Sequence, residues 1–247
     1  MRKRSIIGVL MCALLLVGAV SAWAAGTTAN TTVKYESTVS SKDAGTKKRP
    51  KAVKLGIDVT GDTVDGMGQP ATSTKLIITL AKGFRINSKR WPRRSRCSQD
   101  AANRAKSDSV CPRGSRAGRG RANVDGADGA ISRTLNVKTY VLSDGSLGFF
   151  LRSASGEVPV VSQMLRGKVS GRRISVAIPT NVQEPVQGVP TGIRKLKASI
   201  SAKARIKGKR RGLIETVGCS RKKWKFTFTD IFRDGRKSTS FTLRCRK

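Results

Sequence analysis

The sequence predicts an all-β protein, an antiparallel β-sandwich carrying one long Arg/Gly-rich loop closed by a disulfide. Three observations predict it. Apolar and polar residues alternate with period two in one segment after another. Turn signals separate those segments. Four of the five cysteines lie downstream of a segment with the features of a secretory leader.

The leader comes first. Arg2, Lys3 and Arg4 form a positive start, Ile6 to Val20 carries no charge, and Ala22-Trp23-Ala24 fits a small-x-small cleavage site. Residues 1–24 are therefore expected to be a signal peptide, with the mature chain starting at Ala25. An uncleaved anchor is the alternative, although the apolar run is short for a span. No second long apolar stretch follows, so no membrane span is expected after cleavage. Residues 25–32 are polar and expected to be flexible. Residues 25–247 are expected to form a single β-sandwich-like domain, the alternative being two small β domains meeting near residues 125–135.

The strand signals follow in order. Val53, Leu55, Ile57 and Val59 alternate with polar or small residues, as do Leu76, Ile78 and Leu80. Leu147, Phe149 and Leu151 repeat the pattern, then Ile174, Val176 and Ile178. The longest run extends from Leu196 through Ala198, Ile200, Ala202 and Ala204 to Ile206. Trp224, Phe226 and Phe228 face one way, and Phe241, Leu243 and Cys245 close the series. One wet face per strand is the pattern of an antiparallel sandwich. Asp144-Gly145 and Asp234-Gly235 are hairpin candidates. Residues 89–121 read as a long excursion between strands, with a short helix over Ser98 to Lys106.

Removing Cys12 with the leader leaves Cys97, Cys111, Cys219 and Cys245. Four cysteines allow three connectivities. The two local closures, Cys97–Cys111 and Cys219–Cys245, are favoured, and each contributes roughly 3 kcal/mol by the chain-entropy argument.

These features resemble those of a group of exported actinobacterial β-rich proteins with paired cysteines. The matching pieces are Leu76-Ile77-Ile78-Thr79-Leu80 with Gly83-Phe84, then Cys97 followed by Cys111-Pro112-Arg113-Gly114-Ser115 and Gly118-Arg119-Gly120. Ile174-Ser175-Val176-Ala177-Ile178-Pro179, Cys219, Trp224 to Phe228, Asp234-Gly235 and Cys245 complete the set. The resemblance implies export and β structure. No activity is assigned to the group, so it implies none here.

The chain contains no histidine. That excludes Ser-His-Asp and Cys-His nucleophile systems as usually built, and removes the commonest ligand for zinc, copper and iron. Asp58, Asp62 and Asp65 are the densest acidic group, a weak calcium candidate better explained by turn chemistry. Gly114, Gly118 and Gly120 lack the ending of a phosphate-binding loop and read as flexible surface. The expectation is therefore a protein without a cofactor or a resident metal.

Charge is the strongest functional signal. Fifty Lys and Arg face 15 Asp and Glu, a net +35, which suits anionic partners. The densest basic run is Lys203, Arg205, Lys207, Lys209, Arg210 and Arg211. These six are the candidate polyanion-binding residues. Further clusters are Lys89 to Arg96, then Arg113, Arg116, Arg119 and Arg121, and finally Arg221 to Lys225. A merely solvated surface is the competing explanation. The sequence therefore leads to an exported, non-catalytic cell-envelope or extracellular protein whose partners are anionic envelope polymers, with non-specific nucleic acid as a second partner. The alternatives are a carboxylate-dependent enzyme acting on envelope glycan, and a structural assembly subunit.

Overall fold

The computed structural model describes residues 27–154 and 161–246. The expected leader, its expected cleavage site and Cys12 lie outside the described residues. The strands are β1 (Thr31–Val39), β2 (Lys51–Ala52), β3 (Leu55–Thr63), β4 (Ser73–Thr79), β5 (Phe84–Ile86), β6 (Arg116–Gly126), β7 (Ile131–Val141) and β8 (Leu147–Ser153). They continue with β9 (Ser162–Ser170), β10 (Arg173–Ala177), β11 (Thr191–Ile200), β12 (Lys203–Ile206), β13 (Lys209–Gly212), β14 (Ile214–Thr216), β15 (Lys223–Phe232) and β16 (Arg236–Arg244). Helix α1 (Gln99–Arg104) lies between β5 and β6, and α2 (Thr180–Gln183) between β10 and β11.

Eleven strands form one antiparallel sheet in the order β1-β3-β11-β6-β7-β8-β9-β10-β4-β15-β16. The sheet curls until its end strands β1 and β16 lie against each other, a nearly closed, sandwich- or barrel-like all-β fold. Period two explains which side chains go inside. Leu55, Ile57 and Val59 of β3 are buried, as are Trp224, Phe226 and Phe228 of β15. Phe84 meets Trp224 and Phe226 edge to face at 4.9 and 5.2 Å, and Tyr35 of β1 stacks on Phe228 at 5.5 Å, which ties the seam to the core. A single sheet runs through residues 125–135, where β6 and β7 meet as direct neighbours.

Both favoured disulfides form, Cys97–Cys111 with 4.8 Å and Cys219–Cys245 with 5.9 Å between Cα atoms. Such bonds belong to chains that fold in an oxidising, extracytoplasmic compartment. Among the described residues no helix is long and apolar enough to cross a membrane. The Asp144-Gly145 and Asp234-Gly235 hairpins join β7 to β8 and β15 to β16. Helix α1 sits within the expected Ser98 to Lys106, with Ser98 as its cap accepting from the Ala101 amide.

Three expectations are corrected. The excursion ends at Ser115, and Arg116–Gly126 is a central strand. Gly118 and Gly120 therefore belong to β6 and not to a flexible surface. A Cβ at Gly118 would lie 2.0 Å from the Ser199 carbonyl, and one at Gly120 2.2 Å from the Lys197 carbonyl, so only glycine lets β6 approach β11. The long run ending at Ile206 is two strands, because the chain leaves the main sheet after Ile200 and β12 pairs only with β13. Finally, β1 begins at Thr31, inside the segment expected to be flexible. Thr28 also holds the Asp234 carboxylate through its backbone N–H at 2.8 Å and through its hydroxyl.

The rest of the excursion is ordered as well. Trp91 is buried and its indole N–H donates to the Gly114 carbonyl at 3.0 Å. Arg96 donates to the carbonyls of Lys89, Trp91 and Ser143. This segment covers the outer face of the β7–β8–β9 region, where Tyr140, Phe150 and Met164 form a second, smaller core with Cys97 and Ala102.

Candidate functional site

An open groove of about 1110 Å³ lies on the outer face of β1, β3, β11, β6, β7 and β8. Alternation puts it there. On β6 the glycines and Ala122 turn inward, so Arg119 and Arg121 project outward, beside Lys197 of β11 and Lys138 of β7. Lys54, Arg116 and Arg152 complete seven cations along the lining, against the acids Glu36, Asp58 and Asp108.

Two of the seven cations are ion-paired. Lys138 meets Asp108 at 2.7 Å and Lys197 meets Asp58 at 3.1 Å. Among the described residues Lys54, Arg116, Arg119, Arg121 and Arg152 make no ion pair within the protein. Their charges face solvent inside one concavity, the arrangement that concentrates anions. Asp108 also accepts from the Tyr140 hydroxyl. Burial pushes the Asp108 carboxyl up, but the hydrogen bonds from Lys138 and Tyr140 outweigh it and hold the group below the usual carboxylate range. Burial, then the Asp108 carboxylate, pushes the Tyr140 hydroxyl well above its ordinary value. Asp108 is thus a fixed anion that shapes the wall, unsuited to donating a proton near neutrality.

Glu36 and Asp58 are register partners on β1 and β3, a carboxylate pair that the fold sets opposite each other in the groove. Glu36 is exposed and Asp58 is held by Lys197. Neither is enclosed in the apolar pocket that separates an acid from a base in a carboxylate dyad.

The six candidate residues of the sequence form the hairpin β12–β13. Lys207 and Gly208 both have positive φ, the signature of a two-residue type I′ turn. Lys203, Arg205, Lys207, Lys209 and Arg210 are exposed, while Arg211 turns inward toward Glu215 at 3.5 Å. Arg205 and Arg210 stand directly opposite each other across the ladder. Like charges so placed are destabilising. The hairpin leaves the main sheet where the Ser201 amide donates to the Ala117 carbonyl, one residue from Arg116 of the groove. The groove itself escapes sequence reasoning, because its cations come from five separate stretches of chain. The Arg-Gly alternation of β6 is its one local signal.

The three acids considered for calcium are dispersed. Asp58 pairs with Lys197, and Asp62 pairs with Arg194, which also holds Asp125 at 2.6 Å. Asp65 accepts from the Met67 amide at 3.0 Å, which is turn chemistry. Among the described residues no three acidic, cysteine or histidine side chains gather as a metal site would need. In comparisons with protein-family models, curated proteins and solved structures, the chain has no match.

Proposed function

We propose that this is an exported, non-catalytic protein of the cell envelope or extracellular space that binds anionic polymers along its basic groove, with the β12–β13 hairpin as a neighbouring contact. The supporting observation is the set of five cations in one groove that make no ion pair among the described residues. The opposed Arg205–Arg210 pair adds to it, since its repulsion is relieved when a polyanion lies between the two guanidiniums. The polymer is read as a phosphate- or carboxylate-bearing glycan or polyol and not as nucleic acid. Non-specific single-strand binding relies on aromatic stacking platforms. The groove's aromatic lining residue, Phe150, is only 1% exposed.

The test is binding of labelled polyphosphate to the mature protein between 50 and 200 mM salt. Engagement of about five cations predicts a log–log slope of roughly −4. Arg119→Ala with Arg121→Ala should weaken binding about tenfold and flatten the slope by about 1.5–2. A protein that fails to bind at 50 mM salt, or a double variant that binds unchanged, would sink this reading. Tighter binding of single-stranded DNA than of polyphosphate would move the assignment to nucleic acid. Arg205→Ala should weaken polymer binding while raising stability by a few tenths to about 1 kcal/mol in urea unfolding, because it removes a repulsive cross-strand pair.

A further inference from the structure

The strands that carry the groove outside enclose a cavity inside. It has a volume of about 140 Å³ and lies between β4, β6, β7, β8, β9, β10 and β11. Residues 178–191, including α2, fold over one side of it. Folded interiors are close-packed, and voids this large are few. Here the lining shows the void directly. Val124, Phe149, Ile178, Val182, Ile193 and Leu196 face inward yet are only half-buried. An apolar void of roughly 150 Å³ stays dry and takes up a six-carbon ring.

We propose that this cavity binds the terminal part of an acyl chain that enters from solvent. The wall is apolar along its length, with Leu76, Leu135, Leu151, Leu165 and Val176 deep inside. Ser73 is also in the lining but donates its hydroxyl to Asp230 at 2.9 Å. The mouth lies at the Val186–Val189 bridge, where Pro185 and both valines face the cavity and Val186 is 42% exposed. An exposed valine on the rim of an apolar cavity is what a chain sliding in from solvent would touch first. Arg133 is the charged residue of the lining among the described residues, and its guanidinium donates to the Ser132 carbonyl at 2.9 Å. The site is distinct from the groove, since Ala122 and Leu135 point inward where Arg121 and Asn136 point outward.

Calorimetric titration of the full protein with straight-chain alkanoates of four to twelve carbons tests this. Affinity should rise about fourfold per methylene and level off once the cavity is filled. Val176→Phe, which fills the cavity, should weaken octanoate binding at least tenfold and leave polyphosphate binding unchanged. Leu165→Ala, which enlarges it, should shift the plateau to longer chains. No binding of octanoate or dodecanoate at 1 mM overturns the proposal. So does unchanged octanoate affinity in a Val176→Phe protein whose circular dichroism matches the parent. If that variant fails to fold, an unmoved plateau in Leu165→Ala overturns it instead.

Discussion

Replacing Glu215 with alanine is expected to lower the unfolding free energy by about 3–5 kcal/mol, the loss seen when one partner of a buried ion pair is removed. Glu215 is the central acid of the small sheet β2-β14-β5 and is 1% exposed. Its two oxygens meet Arg85 at 2.6 Å and Arg211 at 3.5 Å, and one also accepts from the Gly212 amide at 3.2 Å. Burial pushes its carboxyl up, but the hydrogen bond from Arg85, with help from Asn87, Gly212 and Arg211, outweighs it and holds the group below its ordinary value. Alanine would strand two guanidiniums, one of which already has a buried Nε without a partner. Urea titration should show a lower midpoint at unchanged slope. A loss under 1 kcal/mol would refute the role given to Glu215. Because its folded value is depressed, the stabilisation is present above the ordinary carboxylate range and lost as pH falls through the folded value.

Asp230 is expected to act with the opposite sign. It faces inward on β15 between Phe228 and Phe232, and burial pushes its carboxyl up to about 7 despite hydrogen bonds from Ser73 and the Ile231 backbone. Its Oδ1 is buried without a hydrogen-bond partner. Its register partners are Leu76 on β4 and Lys237 on β16. The native state therefore holds a proton that the unfolded chain releases near pH 4. The stabilisation is complete below that value, is lost as pH rises through about 7, and is absent above it. A displacement of about three units corresponds to roughly 4 kcal/mol at most. Asp230→Asn keeps the shape and removes the titration. Its stability relative to the parent should increase by about 2–4 kcal/mol from pH 4 to pH 8. Chemical unfolding of both proteins at the two pH values measures this, and a difference that does not change with pH would refute it.

Local signals in the sequence identified the elements whose stability is local. Leu55, Ile57 and Val59 specify an inward face wherever the strand lies, and Asp-Gly at 144–145 and 234–235 specifies tight returns. The cysteine pairs close short loops, so proximity in sequence favours them. Strand β6 was illegible because its inward positions 118 and 120 carry hydrogen where a strand pattern has an apolar side chain. The reason is a neighbour, the β11 backbone, that no nearby residue announces. The groove was illegible for a related reason. Lys54, Arg116, Lys138, Arg152 and Lys197 converge only after strands distant in sequence become neighbours. The basic cluster of the hairpin was visible because its charges crowd residues 203–211, although the turn was missed and Arg211 proved to be inward-facing, an outcome set by Glu215.

The interleaved strand order also governs how the chain reaches this state. β3 is seated between β1 and β11, β4 between β10 and β15, and the seam needs β1 together with β16. Few long-range pairings can form until most of the polypeptide has been synthesised. Such topologies fold in milliseconds to seconds, and slowly for their size. A nascent chain lacking residues 236–246 would leave the β1 edge uncovered, inviting proteolysis or intermolecular pairing. The Cys219–Cys245 bond, whose two ends flank β15 and β16, then latches the final hairpin in place once it has closed.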